Sequence, residues 1–183
     1  DILDLGRRSR AEPELLRADE FCVEFVEHFN ATENLSAGMV VLDAASPLTL
    51  CFDRSHLHRV LWNLVSNALR HSSRSAGAVR VELSSPHGDG RVELHVIDDG
   101  QGVPKNVREQ IFEPFFTTKE QGQGTGMGLA MVYGIVKNHR GYIGVTSSLG
   151  CGTTMRVYLP DSSCATLKTR PVQTTEPSHG TGH

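Results

Sequence analysis

Hydrophobic and polar positions along the chain fall into segments of two periods. Between residues 18 and 30, Phe21, Phe25, Val26 and Phe29 recur near helical spacing, which predicts an amphipathic helix. A stronger pattern follows Asp53, which is placed as an N-cap. Leu57, Val60, Leu61, Leu64, Val65, Ala68 and Leu69 then form one apolar face running to about His71. Alternation over Ala78–Ser84 and Arg91–Ile97, joined by Pro-His-Gly-Asp-Gly, predicts a hairpin or neighbouring strands. Short strands are expected over residues 39–43 and 48–52, around an Ala-Ala-Ser-Pro turn. Two more, Tyr142–Thr146 and Thr153–Leu159, flank Gly150-Cys151-Gly152. A short helix is expected over Lys105–Phe112 and a long one over Thr125–His139. Strands that come mostly in adjacent pairs, mixed with helices, predict an α+β sandwich: a mixed sheet covered on one face by helices.

Composition limits what such a fold could do. The 183 residues suit one domain with tails. That domain is expected over residues 18–160. Residues 1–17, charged and broken by Pro13, read as the remnant of an upstream helix and a linker. Residues 161–183, rich in Ser, Thr, Pro and Gly, read as a disordered tail or linker. A net charge of -3 argues against nucleic acid as a partner, because phosphate contacts need a basic surface. No apolar run approaches the roughly 20 residues of a membrane helix, so no direct membrane contact is expected. Cys22, Cys51, Cys151 and Cys164 lack any CxxC spacing and read as free thiols in a reducing cytosol.

Four stretches could carry chemistry. Asn63 and Asn67 lie four apart on the polar side of the strongest helix, with Arg70 and His71 nearby. Asn is a poor helix former, so two in one helix interior ask for a reason. A side-chain carbonyl together with phosphate oxygens would suit Mg²⁺. Asp98-Asp99-Gly100-Gln101-Gly102-Val103 ends a strand. A carboxylate there can accept a hydrogen bond from an exocyclic amine, while glycines admit a flat ring. Ile111-Phe112-Glu113-Pro114-Phe115-Phe116-Thr117-Thr118-Lys119 could anchor a loop, with Lys119 in reach of a phosphate. Gly122-Gln123-Gly124-Thr125-Gly126-Met127-Gly128-Leu129 runs into a helix, where N–H groups and the helix dipole favour an anion. Taken singly, each has a plainer reading: a solvated helix face, a turn, a hydrophobic clip, a loop.

In this order the four stretches resemble the N, G1, F and G2 boxes of histidine-kinase catalytic domains. These belong to the GHKL superfamily, with gyrase, the chaperone Hsp90 and the repair protein MutL. The resemblance spans about residues 18–160 and implies a Bergerat-type sandwich that binds ATP and Mg²⁺. By it, Asn67 holds Mg²⁺ and Asn63 sits one turn earlier on the same face. Arg70 stands near the phosphates and His71 near the nucleotide. Asp98 takes the adenine amine, in a pocket shaped by Gly100, Gly102 and Val103, with Thr153 near it. Residues 113–124 correspond to a lid, where Thr118 and Lys119 are nucleotide contacts. Gly124, Gly126 and Gly128 contact phosphates, with Leu129 behind them, and Thr125 and Met127 between them are nucleotide contacts.

The resemblance implies a reaction as well as a pocket. The γ-phosphate goes to a histidine on a dimerisation hairpin, then to the receiver domain of a response regulator. None of the nine histidines is followed by Glu or Asp, as the family's acceptor usually is, so the hairpin is expected upstream of Asp1. His28, His95 and His139 read as ordinary surface or core residues. A monomer is expected for this chain, a dimer for a full kinase, and a cytosolic location within a membrane-bound sensor. Some stretches are similar to pilus-gene sensors and others to nitrogen sensors. Superfamily ATPases carry Glu four residues before the Mg-binding Asn, as a general base on water. Here that position is Asn63, which disfavours a hydrolase. A nucleotide-responsive module without transfer activity is the other alternative.

Overall fold

The computed structural model describes residues 10–88, 91–116 and 126–160. The chain forms strand β1 (Glu14–Arg17), helix α1 (Ala18–Thr32), strands β2 (Val40–Ala44) and β3 (Thr49–Phe52), and helix α2 (Arg54–His71). Strands β4 (Val79–Ser84) and β5 (Val92–Asp98), short helix α3 (Lys105–Arg108), helix α4 (Gly128–Asn138) and strands β6 (Tyr142–Ser147) and β7 (Thr153–Leu159) complete it. Five strands make one mixed sheet in the order β2-β4-β5-β7-β6. The β2–β4 pair is parallel and the other pairs are antiparallel. A second, two-stranded sheet joins β1 to β3.

Alternation explains the layering. Val79, Val81 and Leu83 of β4, Val92, Leu94 and Val96 of β5, and Met155, Val157 and Leu159 of β7 are buried. Their neighbours Arg80, Glu93 and Arg156 fall on the opposite, polar face. Helices α1, α2 and α4 cover the buried side, as the α+β expectation requires. All seven predicted apolar residues of α2 are buried. Each is worth roughly 1.5–3 kcal/mol relative to exposure for the larger side chains. Asp53 caps this helix by accepting from the His56 N–H at 3.0 Å and the Ser55 hydroxyl at 2.7 Å. Helix α1 locks onto α2 through aromatic contacts, Phe29 meeting Trp62 edge-on at 4.9 Å.

Four details differ from the sequence reading. The linker expected over residues 1–17 gives way at Glu14, because β1 pairs with β3 and buries Leu16 at 2 % exposure. A salt bridge from Arg17 to Asp19 holds this junction at 2.8 Å, and Asp19 also accepts from Ser46 and the Leu48 N–H. Arg17 is the main reason the Asp19 carboxyl lies well below the usual carboxylate range. Strands β2 and β3 flank the expected turn but join different sheets. Helix α3 stops at Arg108, after which the chain continues in turns. Cys22 and Cys151 are free, whereas Cys51 is disulfide-bonded, a correction to the four free thiols. Among the described residues, no helix is long and apolar enough to cross a membrane.

Candidate functional site

Helix α2 lies over the sheet with its polar side turned toward the start of α4. Between them and the ends of β5 and β7 is an open cleft of about 870 Å³. Its floor is apolar: Val96 and Met155, register partners on β5 and β7, face Leu64 and Ala68 of α2. Val103, Val107, Ile111 and Phe116 extend that apolar wall. The next register pair on the same face, Asp98 and Thr153, places a carboxylate and a hydroxyl at the end of the slot.

Asp98 is half-buried, and burial pushes its carboxyl up from the ordinary value. Hydrogen bonds from the backbone N–H groups of Gly100 and Thr153, and the nearby His71, pull the other way. The Gly100 N–H lies 2.9 Å from the carboxylate. Asp99 turns away: it accepts from the Ser73 N–H at 2.8 Å and from the Ser73 hydroxyl, which hold its carboxyl low. Asp99 thereby ties the end of α2 to the loop after β5. Gly102 has φ of 76°, and any side chain there would overlap the Ser148 carbonyl.

The other end of the cleft offers hydrogen-bond donors that could receive an anion. Helix α4 starts at Gly128, so its unpaired N–H groups open into the space beside Asn63 and Asn67. A Cβ at Gly128 would stand 2.9 Å from Asn63 Oδ1. The Asn63 amide nitrogen donates to the Arg59 carbonyl at 2.8 Å, which aims the side-chain oxygen at α4. Arg70 and His71 line the same end of the cleft.

Asn63, Asn67, Arg70, His71, Asp98, Gly102, Val103, Gly126, Gly128, Leu129 and Thr153 therefore converge on one cleft. Two expected contacts do not line it. Gly100 sits behind it against the His71 carbonyl, and Met127 is 41 % exposed beside it. Met127 occupies the N-cap position, and the backbone there directs the side chain outward while Gly128 approaches Asn63. Thr118, Lys119, Gly124 and Thr125 lie outside the described residues. The sequence reading missed Val96, Met155 and Val107 and took Ile111 and Phe116 only as part of a loop anchor; alternation inward from Asp98 and Thr153 would have found the first two.

A family model for histidine kinase-, DNA gyrase B-, and HSP90-like ATPases matches residues 52–163, and the chain belongs to this family. Its relatives are sensor kinases. The sensory histidine kinase/phosphatase NtrB of Rhodobacter capsulatus is 37% identical over 171 residues, 87% of this chain and 42% of that protein. The sensor protein kinase PilS of Pseudomonas aeruginosa is 38% identical over 133 residues, 71% of this chain and 25% of that protein. The sensor kinase CckA of Brucella abortus is 56% identical over 69 residues, 38% of this chain and 7% of that protein. The chain thus spans less than half the length of these relatives.

Solved structures agree. The mycobacterial sensor histidine kinase MprB superposes with a TM-score of 0.67 at 27% identity, over 82% of this chain and 98% of that one. Full-length ShkA, solved in complex with AMPPNP, gives 0.70 at 27% identity, over 83% of this chain and 32% of that one. Within its family the chain is the ATP-binding catalytic domain of a protein-histidine kinase.

Proposed function

We propose that this chain binds Mg-ATP in the described cleft and, in its parent protein, passes the γ-phosphate to a histidine on a dimerisation hairpin outside this chain. A response-regulator receiver domain would take the phosphate next. The parent is a membrane-bound sensor with this domain on its cytosolic side. The observation that carries the reading is one cleft with an apolar slot ending in Asp98 and a helix N-terminus beside two amides at its other end.

The donor set fits the metal. Among the described residues, no three His, Cys, Asp or Glu side chains could hold an ion together. Mg²⁺ needs no such cage, since it keeps several waters and takes one or two protein oxygens beside substrate phosphates. Asn67 would supply that oxygen, and bound Mg²⁺ would neutralise phosphate charge. Asn63, one turn earlier, offers its oxygen to the same space. The α4 N–H groups and Arg70 hold the phosphates, and Asp98 accepts the adenine amine.

Chemistry by such a site is positioning and charge neutralisation. An amide at Asn63 cannot take a proton near neutral pH, so water attacking the γ-phosphate lacks a base. An imidazole is already nucleophilic and has less need of one. The chain itself is read as a monomer.

Calorimetric titration with a non-hydrolysable ATP analogue, with and without Mg²⁺, tests the pocket. Wild type binds, Asp98→Ala loses binding, and Asn67→Ala loses the Mg²⁺ dependence. If wild type fails to bind, or both variants bind like it, the chain is instead a partner-binding module.

A further inference from the structure

The Ser147 hydroxyl is almost fully buried at the end of β6, on a residue 4 % exposed. It has one proton and three partners. The Val103 N–H donates to it at 2.7 Å. It donates to the Gly152 carbonyl at 2.8 Å. The Thr153 hydroxyl lies 3.0 Å away. A carbonyl can only accept and an N–H can only donate, so the Ser147 proton is committed to Gly152. The Thr153 hydroxyl is then the donor to Ser147. Its proton points away from the cleft, and only lone pairs remain to face it.

Thr153 is the register partner of Asp98, and both line the end of the slot. Asp98 presents a carboxylate, which accepts. With Thr153 turned this way, the slot ends in two acceptors side by side. An exocyclic amine brings two protons to such a pair, whereas a carbonyl oxygen brings none. The same serine fixes both loops that shape the slot, through Val103 on one and Gly152 on the other. The Gly150 N–H bond to the Gln101 carbonyl at 2.8 Å adds a second tie between them.

We infer that Ser147 is a specificity-determining positioning residue, which orients the Thr153 hydroxyl as an acceptor and so selects a 6-amino over a 6-oxo purine nucleotide. This rests on the ATP reading above. Ser147 touches no nucleotide; it acts through Thr153.

Non-hydrolysable ATP and ITP analogues, which differ in the 6-amine against a 6-oxo group and in the hydrogen the latter base carries on N1, are titrated calorimetrically into the full chain. Wild type prefers the 6-amino nucleotide. Ser147→Ala frees the Thr153 hydroxyl to rotate and reduces that preference by about tenfold, the worth of one hydrogen bond. Ser147→Thr keeps the hydroxyl and the preference. Thr153→Val loses the preference to the same extent, and adding Ser147→Ala to it changes the ratio no further. A serine that only braces the fold would weaken both nucleotides equally, and an unchanged ratio in folded Ser147→Ala overturns the proposal. Should Ser147→Ala not fold, an unchanged ratio in Thr153→Val overturns it instead. If wild type binds neither analogue, the ATP reading fails and this proposal with it; binding with an unchanged ratio sinks the proposal alone.

Discussion

His139, at the C-terminus of α4, is a histidine the fold needs neutral. Its ring stacks on Phe52 with centroids 3.6 Å apart, and its Nε2 meets His56 Nδ1 at 3.1 Å. Burial, with His56 beside it, pushes its pKa down from 6.5 to about 4. The unfolded chain binds a proton at this position below about pH 6.5, whereas the fold refuses it until about pH 4. Stability from this residue is therefore complete above 6.5 and lost as pH falls toward 4, by on the order of 3 kcal/mol. Urea unfolding between pH 7 and 4.5 should show that fall, and His139→Leu should flatten it. A wild-type stability that is level across the window would refute the account. Asp53 does not confuse this test. Burial alone would raise it, but the Glu12 N–H, the Ser55 hydroxyl and the His56 N–H outweigh that and hold it at about 2. Its contribution is lost only below the ordinary carboxylate range.

Element boundaries follow from what each residue type can bury. Helix α2 was legible because seven apolar residues at helical spacing admit one burial solution. Strand β1 was not legible. Four residues reading Glu-Leu-Leu-Arg, one of them buried, carry no period that separates a strand from a linker. Pairing with β3, 36 residues away for Leu15 and Cys51 by the register, decides it. The two leucines make a matched test. Leu16→Ala should cost about 2–5 kcal/mol, as buried leucines do. Leu15→Ala, at 60 % exposure, should stay within about 0.5 kcal/mol. Equal effects in chemical denaturation would mean that residues 14–17 are the linker first expected.

At the scale of the whole molecule, the cleft is assembled from parts distant in sequence: the side of α2, the ends of β5 and β7, and the start of α4. On the proposed function, Asn63 in place of a general base sets what that assembly does with a bound nucleotide. The isolated chain should hold Mg-ATP without steady turnover, so phosphate release in a coupled assay should stay near background. Phosphohistidine should form when the parent's hairpin is supplied. Sustained release by the chain alone would favour a superfamily ATPase. Nucleotide binding without phosphohistidine would favour a module that senses nucleotide and transfers nothing.

The sequence by itself determined the helix–strand order, the buried face of α2 and the order of the four stretches. These are local, because period, capping and glycine placement act within a few residues of one another. It also supplied most of the cleft's polar residues, since amides inside a helix and a carboxylate at a strand end are unusual where they stand. The resemblance singled out Asp98 of two adjacent carboxylates, and tertiary structure supplied the physical reason. Asp98 faces in beside Thr153, while Asp99 is turned out by Ser73, and alternation along a strand gives opposite faces without saying which is covered. Tertiary structure alone decided the pairing of β1 and which partners meet the Thr153 hydroxyl. Each depends on partners brought together only when the sheet has formed, and a hydroxyl's direction is fixed by whichever neighbour takes its proton.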